Sequence, residues 1–174
     1  MGFVRKADFY YGSMLSGLVN NGIAPAIIEP GDSRRIYELT TNKGDFLIYA
    51  KYVSAPMPRQ RTDAQLWQFS FTSDEIRFIR EHSEDRHKLY FAFICGQRNF
   101  QDSEIAFLSL DEVKKCLDVD HERPNYRVSI KTVRGSRYLR AYGTGLADIL
   151  NGQDNTIRIQ RDYAGIFLNE PQLV

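Results

Sequence analysis

Lys51 is the residue whose position in the sequence most clearly indicates chemistry. It stands inside an apolar and aromatic run, Phe46–Tyr52, that has the composition of a β-strand. An ammonium group in such a strand is expected to point at a carboxylate, at a phosphate, or at solvent beyond the strand end. A second strand-like run, Arg35–Thr40, precedes it across the polar turn Asn42-Lys43-Gly44 and carries Glu38. The lysine is therefore either a binding or catalytic group or one half of an ion pair with Glu38 across the hairpin.

A basic segment in the second half of the chain indicates contact with a polyanion. From Arg123 to Ala147 there is no acidic residue. Two strand-like runs, 126–132 and 137–142, flank the turn Arg134-Gly135-Ser136, and strand alternation turns Val128, Ile130, Leu139 and Ala141 to one face. The residues expected to contact DNA or RNA are Arg127, Lys131, Arg137, Tyr138, Arg140 and Tyr142. Cationic groups suit phosphate contacts and phenol rings suit base stacking, whereas the alternative is a solvated hairpin whose charges serve solubility. Arg59 and Arg61 would extend the same patch.

Composition limits the other classes of function. The chain has 174 residues, 43% of them hydrophobic, which is enough for one domain with its own core. With 23 basic and 22 acidic residues, the net charge of +1 excludes a strong global field, so a charged partner must be met by local patches. Cys95 and Cys116 lie in apolar runs without metal-binding spacing, which predicts buried thiols in a reducing cytosol. No stretch is apolar enough to span a membrane, so we expect a cytoplasmic protein without a membrane partner.

Several other kinds of site are not supported by the spacing of the residues that they need. His82, His87 and His121 are too scattered for a zinc site. The sequence Gly143-Thr144-Gly145 matches neither a P-loop nor a dinucleotide-binding motif, because no helix is predicted after it. Ser13 and Ser16 have no nearby base, so the classical hydrolase, kinase and dehydrogenase activities have no candidate residues.

The pattern of apolar residues and turn signals predicts alternating helices and strands. Helices are predicted at 8–21, with Asp8 as N-cap, and at 73–82, after the capping box Thr72-Ser73-Asp74-Glu75. A mixed central sheet is expected to contain residues 36–40, 46–52 and 89–95, and the run Lys88–Cys95 should be interior because it has no polar face. Further elements are predicted at 26–29, 66–71, 104–109, 110–117, 126–132, 137–142 and 156–160.

The order helix, three strands, helix, strand across residues 8–95, together with Lys51, resembles the core of the restriction-endonuclease-like, PD-(D/E)XK superfamily. The resemblance implies an α/β (α+β) fold with a mixed central sheet flanked by helices and an extra C-terminal hairpin. It also implies two carboxylates that hold Mg²⁺ beside the motif lysine, with Glu38 as the acid of the second strand. The position two residues before Lys51 is Tyr49, where the family has Asp or Glu.

The missing acid leaves the activity open at the level of sequence. Acids that would replace it by migration are Glu29, Asp45 and Asp8, and Glu38 with Glu29 would then hold the metal. We expect a single domain with a nuclease-like core at about 8–95 and a β-rich extension at about 104–174. The expected function is nucleic-acid binding on a degenerate nuclease-like core without robust cleavage. The alternatives are a Mg²⁺-dependent DNA endonuclease with a migrated acid and a protein-interaction subunit that uses the aromatic strand around Trp67.

Overall fold

The computed structural model describes residues 2–58, 64–85 and 88–169. The predicted loop arginines Arg59 and Arg61, and His87, lie outside the described residues. The helices are α1 (Lys6–Asn20), α2 (Ser73–Glu81), α3 (Leu110–Leu117) and α4 (Ala164–Phe167). The strands are β1 (Ala24–Glu29), β2 (Arg35–Thr41), β3 (Gly44–Val53), β4 (Leu66–Phe71), β5 (Leu89–Cys95), β6 (Glu104–Ser109), β7 (Tyr126–Lys131), β8 (Tyr138–Gly143), β9 (Ile149–Leu150), β10 (Gln153–Asp154) and β11 (Ile157–Gln160).

A five-stranded mixed sheet forms the centre of the molecule, with strand order β1-β2-β3-β5-β6. Neighbouring strands are antiparallel except β3 and β5, which run parallel and pair Lys51 with Phe93. Leu89–Cys95 is an interior strand, as its apolar run predicts, because β3 and β6 flank it and helices or a second sheet cover both faces. The predicted class, an α/β fold with a mixed central sheet flanked by helices, is confirmed.

A second, four-stranded antiparallel sheet with order β11-β8-β7-β4 packs on one face of the first. Trp67, Phe69 and Phe71 point inward from β4 and contact β3 and β5 side chains in the core between the sheets.

The two sheets do not coincide with the two predicted parts of the chain, a core at 8–95 and an extension at 104–174. β4 joins the second sheet although it lies within 8–95, and β6 joins the first although it lies beyond it, because each pairs with the strand that completes its own layer.

The opposite face of the five-stranded sheet is covered by α1 and the C-terminal α4. Helix α1 begins at Lys6, two residues before the predicted start, and the Asp8 carboxylate accepts a hydrogen bond from the Arg5 backbone N–H at 2.9 Å. Tyr10 and Tyr11 are buried on this helix, whereas Phe9 is 55% exposed. Tyrosines bury their rings while their hydroxyls reach polar partners, and Tyr10 and Tyr11 share the buried face of α1 with Met14 and Leu18.

The predicted capping box at the start of α2 is present, and a second one opens α3. Thr72 and Glu75 exchange hydrogen bonds at the start of α2, and Ser109 and Glu112 do the same at the start of α3.

Cys95 and Cys116 are buried free thiols, as expected, and burial raises the pKa of the Cys116 thiol to about 12. Across the described ranges, no helix combines the length and the hydropathy needed to cross a membrane.

Candidate functional site

Lys51 forms a buried ion pair with Glu75, and the partner comes from helix α2. The Lys51 ammonium lies 2.8 Å from Oε1 and 2.7 Å from Oε2 of Glu75, and the two side chains are only 9% and 4% exposed. The Tyr49 hydroxyl, on the same face of β3, donates to Oε2, and the Thr72 backbone N–H donates to Oε1 at 3.1 Å. Both oxygens of this carboxylate are thus engaged by the protein itself.

The contacts of Glu75 and Lys51 explain the pKa shifts of the two groups. Burial opposes ionisation of Glu75, but the Lys51 ammonium and the other donors outweigh it, so the pKa of this carboxyl lies below its usual range. Burial lowers the pKa of Lys51, because removal of the ammonium from water disfavours its charged form more than Glu75 favours it. Burial and the bond to Glu75 raise the pKa of the Tyr49 hydroxyl, which therefore remains a donor.

The pair is connected to the surface on two sides. Lys51 lines an open pocket of about 560 Å³ together with Asp32, Ser54 and Ser70. On the other side, the Arg34 guanidinium lies 5.9 Å from the centre of the Tyr49 ring and forms an ion pair with Glu29 at 3.1 Å. Of the acids considered for the site, Glu29 is therefore linked to the Lys51 pair, through Arg34.

The other predicted catalytic acids lie away from Lys51. Glu38 is exposed and lies opposite Leu47 on β3. Leu47 is four residues before Lys51, which corresponds to about 13 Å along the strand. Asp45 pairs with Thr40 near the turn of the β2–β3 hairpin and is exposed. Asp8 binds Arg35 at 2.8 Å, and Arg35 packs over Tyr11 on the α1 side of the sheet, opposite to Lys51.

Glu75 was missed as the partner of Lys51, although the sequence contains its signal. The capping box predicts that Glu75 lies in the first turn of α2, and the box accounts for only one of its oxygens. The distance from α2 to β3 is a tertiary property, so no spacing rule connects residues 51 and 75. The described residues include no group of three or more His, Cys, Asp or Glu side chains placed to hold a metal ion. Strand register separates the two acids that the resemblance assigns to Mg²⁺, because Glu38 lies opposite Ala26, three residues before Glu29 on β1.

The outward face of the four-stranded sheet carries the predicted basic residues. Val128, Ile130, Leu139 and Ala141 are fully buried against the core, so the alternation predicted for this hairpin is correct. Strand register places Arg158 of β11 opposite Arg140 of β8, and Arg140 opposite Lys131 of β7. We call these three residues the basic row.

Two carboxylates from the following segment meet the basic row. Lys131 binds Asp148 at 2.6 Å and Arg140 binds Asp154 at 3.4 Å, and the two cationic side chains are only 17% and 13% exposed. Both acids belong to residues 148–154, in which β9 and β10 pair across the turn Asn151-Gly152, whose residues both have positive φ. We call this segment the acidic hairpin. The acid-free stretch in the sequence is therefore compensated in space by acids that lie just after it.

The remaining predicted contact residues lie around this row. Tyr138 and Tyr142 are half-buried, with Arg158 5.9 Å from the Tyr138 ring centre and Lys131 5.8 Å from that of Tyr142. Arg127 donates to the Gln68 side chain at 3.0 Å and forms no ion pair with a described residue. Arg137 is exposed just before β8.

The aromatic strand considered for protein interaction faces the core. Trp67 is fully buried, and its indole N–H donates to the Gly96 carbonyl at 2.8 Å.

Comparison of the chain with protein-family models, with characterised proteins and with solved structures found no match in any of the three.

Proposed function

We propose that this protein binds nucleic acid on the outward face of its four-stranded sheet and does not cleave it robustly. The basic row is the observation that carries the proposal. Like charges directly opposite one another on neighbouring strands destabilise a sheet, so three adjacent cations need an anion near them. Two of them are balanced by the acidic hairpin, and Arg158 is exposed without an ion pair to a described residue. A phosphate backbone supplies the same charge in a regular array.

The aromatic side chains on this face favour single-stranded ligands. Tyr138 and Tyr142 stand on the same face as Arg140 and are partly open to solvent. Rings interleaved with cations form the surface on which unpaired bases stack while phosphates meet the charges. A duplex hides its base faces, so the tyrosines contribute nothing to duplex binding. We therefore expect single-stranded DNA or RNA to bind more tightly than duplex, without strong sequence preference.

A degenerate nuclease-like core is proposed for the other sheet. The chain order α1, three antiparallel strands, α2 and the parallel β5 supports it, with β4 inserted into the second sheet. At the position where the superfamily carries an acid, the Tyr49 hydroxyl donates a hydrogen bond to Glu75. Glu75 in turn receives four hydrogen bonds from protein donors, which satisfies its oxygens without any ligand. These contacts favour a structural ion pair over a site for phosphodiester hydrolysis.

Fluorescence anisotropy with labelled single-stranded DNA, single-stranded RNA and duplex DNA tests the binding proposal. Arg158→Gln should weaken binding and reduce the slope of log K against log salt by about 0.7 for single strands. Tyr138→Ala should weaken single-strand binding by about 1–3 kcal/mol and leave duplex binding unchanged. Lys43→Gln, an exposed lysine at the β2–β3 turn without an ion pair to a described residue, is the matched control.

The acidic hairpin supplies a test in the opposite direction. The double variant Asp148→Asn/Asp154→Asn keeps the side-chain shapes but frees Lys131 and Arg140 for phosphate. Affinity and salt dependence should both rise, with the slope steeper by up to about 1.4 for single strands. Equal binding by wild type, Arg158→Gln and the double variant would refute the proposed face, as would no binding at low salt.

Cleavage is tested separately with Mg²⁺ or Mn²⁺ on single-stranded and duplex DNA. We expect little or no turnover by the wild type. Robust turnover that Lys51→Ala and Glu75→Gln both abolish, with folding checked by circular dichroism, would instead assign the Lys51 pair to an endonuclease.

A further inference from the structure

We propose a separate oxyanion site, suited to a phosphate group, in the pocket between the β4–α2 turn and the start of β7. The pocket has a volume of about 360 Å³. It is lined by Ser70, Phe71, Thr72, Ser73, Arg123, Pro124, Asn125, Tyr126 and Arg127. This site lies outside the basic row, and the proposal stands whether or not the sheet face binds nucleic acid.

The charge of the lining selects an anion. Two guanidinium groups, Arg123 and Arg127, line the pocket, and none of its lining residues is acidic. The Arg127 side chain forms one hydrogen bond with a described residue, from Nη1 to Gln68, so most of its N–H donors are left for a ligand. Arg123 holds Asp118 at 2.7 Å through Nη2, while its Nε is buried without a hydrogen-bond partner. A buried donor without a partner is costly, and an oxyanion in the pocket would supply acceptors beside it.

The neutral side chains of the lining match the same ligand. The hydroxyls of Ser70 and Ser73 and the amide of Asn125 form no hydrogen bond with any described residue. Hydroxyl and amide N–H donors complement the oxygens of a tetrahedral anion, and planar guanidinium groups bind them in pairs. Because a pocket of this volume is larger than a bare phosphate ion, the ligand class includes phosphate monoesters as well as the free ion.

The pocket lies beside the Lys51 pocket and beside the outward face of the four-stranded sheet. Because of this position, its possible ligands include the phosphate at the end of a nucleic-acid strand. Ser70 also lines the pocket that contains Lys51, and it pairs with Arg127 across β4 and β7. A phosphate bound here would therefore lie between the buried ion pair and the outward face of the second sheet. Free phosphate and a strand-terminal phosphate share this chemistry, and binding measurements separate them.

Isothermal titration calorimetry with sodium phosphate, against sodium chloride at equal ionic strength, tests the site directly. Arg127→Gln should weaken phosphate binding at least about tenfold, because a hydrogen bond between charged groups is lost. Ser73→Ala should weaken it less and leaves the charge of the pocket unchanged. Arg98→Gln, an exposed arginine without an ion pair to a described residue, should have no effect. No phosphate binding at millimolar concentration, or binding that Arg127→Gln and Ser73→Ala leave unchanged, would overturn the proposal.

Oligonucleotides with 5′-phosphate and 5′-hydroxyl ends distinguish the two sources of phosphate. A preference for the phosphorylated end that Arg127→Gln removes would assign a strand terminus to the pocket. Phosphate binding without any oligonucleotide binding would support a free-ion or monoester site while refuting the proposed nucleic-acid face. The two proposals therefore fail on different measurements.

Discussion

Replacing Glu75 by glutamine should destabilise the protein more than any surface charge change, because it leaves the Lys51 ammonium buried without a counter-ion. The two side chains are 4% and 9% exposed, and Lys51 binds both carboxylate oxygens of Glu75. Glutamine keeps the shape and one carbonyl acceptor, so only the charge and part of the hydrogen bonding are lost. Breaking one side of a buried ion pair costs about 3–5 kcal/mol, and the retained acceptor puts our expectation near ~3 kcal/mol.

Urea denaturation and thermal melts measure this loss. For a domain of this size, each kcal/mol shifts the melting temperature by roughly 2–4 °C, so Glu75→Gln should lower it by about 6–12 °C. The matched control is Asp74→Asn on the same helical turn. Asp74 and Arg77 are both exposed and 3.6 Å apart, so this change should remain within about 0.5 kcal/mol of wild type.

A double variant separates charge from packing. Lys51→Met/Glu75→Gln removes both charges, so it should be more stable than Glu75→Gln alone, in which the ammonium stays buried without a counter-ion. If the two substitutions add without coupling, or if Glu75→Gln loses less than about 1 kcal/mol, the pair is not the buried, mutually dependent one described here.

Three further predictions concern the pair and the core. The difference in unfolding free energy between wild type and Glu75→Gln, measured by urea denaturation, should reach its full size above about pH 4.3, the ordinary pKa of Glu. It should shrink as the pH falls through the pKa of native Glu75, which lies below that value. Gly143→Ala should lower the free energy of unfolding by about 1–3 kcal/mol, because a Cβ there would overlap the Arg127 and Cys116 carbonyl oxygens. Gly12→Ala is the control, since a Cβ at this position of α1 meets open space, and it should raise the free energy of unfolding by up to ~1 kcal/mol in the same assay. Phe167→Ala should cost about 3–5 kcal/mol in urea denaturation, since the ring is fully buried, and a loss below ~1 kcal/mol would show that α4 does not close the core.

Local signals in the sequence predicted most of the fold correctly. The capping box at Thr72, the unbroken apolar run before Cys95 and the alternation around Arg134-Gly135-Ser136 each report on contacts within a few residues of one another. The short β9 and β10 strands were not predicted, because two-residue strands carry no periodicity. Helix α4 was missed for the same reason, since its four residues span about one turn.

The candidate site was less predictable than the fold because its contacts join distant parts of the chain. The unusual strand environment of Lys51 indicates a site, but the acids that the sequence suggests for it lie on β1, β2, the start of β3 and the start of α1. The structure supplies the partner, Glu75, from α2. The Gly143-Thr144-Gly145 segment is followed by β9 and not by a helix, and its close packing explains the glycines. Backbone atoms of Cys116, Leu117 and Asp118 approach Gly143 and Gly145 too closely for a side chain.

Charge pairing makes the proposed nucleic-acid binding depend on the acidic hairpin as well as on the basic segment. A count along the sequence finds no acid between Arg123 and Ala147, yet Lys131 and Arg140 each meet a carboxylate from residues 148–154. In the proposed complex, phosphates would compete with these two carboxylates for two of the three cations. Affinity would then be set by the difference between phosphate and carboxylate at Lys131 and Arg140, while Arg158 would contribute its full attraction. Neutralising Asp148 and Asp154 changes only that difference, which makes the double asparagine variant a more decisive test of the face than removal of the cations themselves.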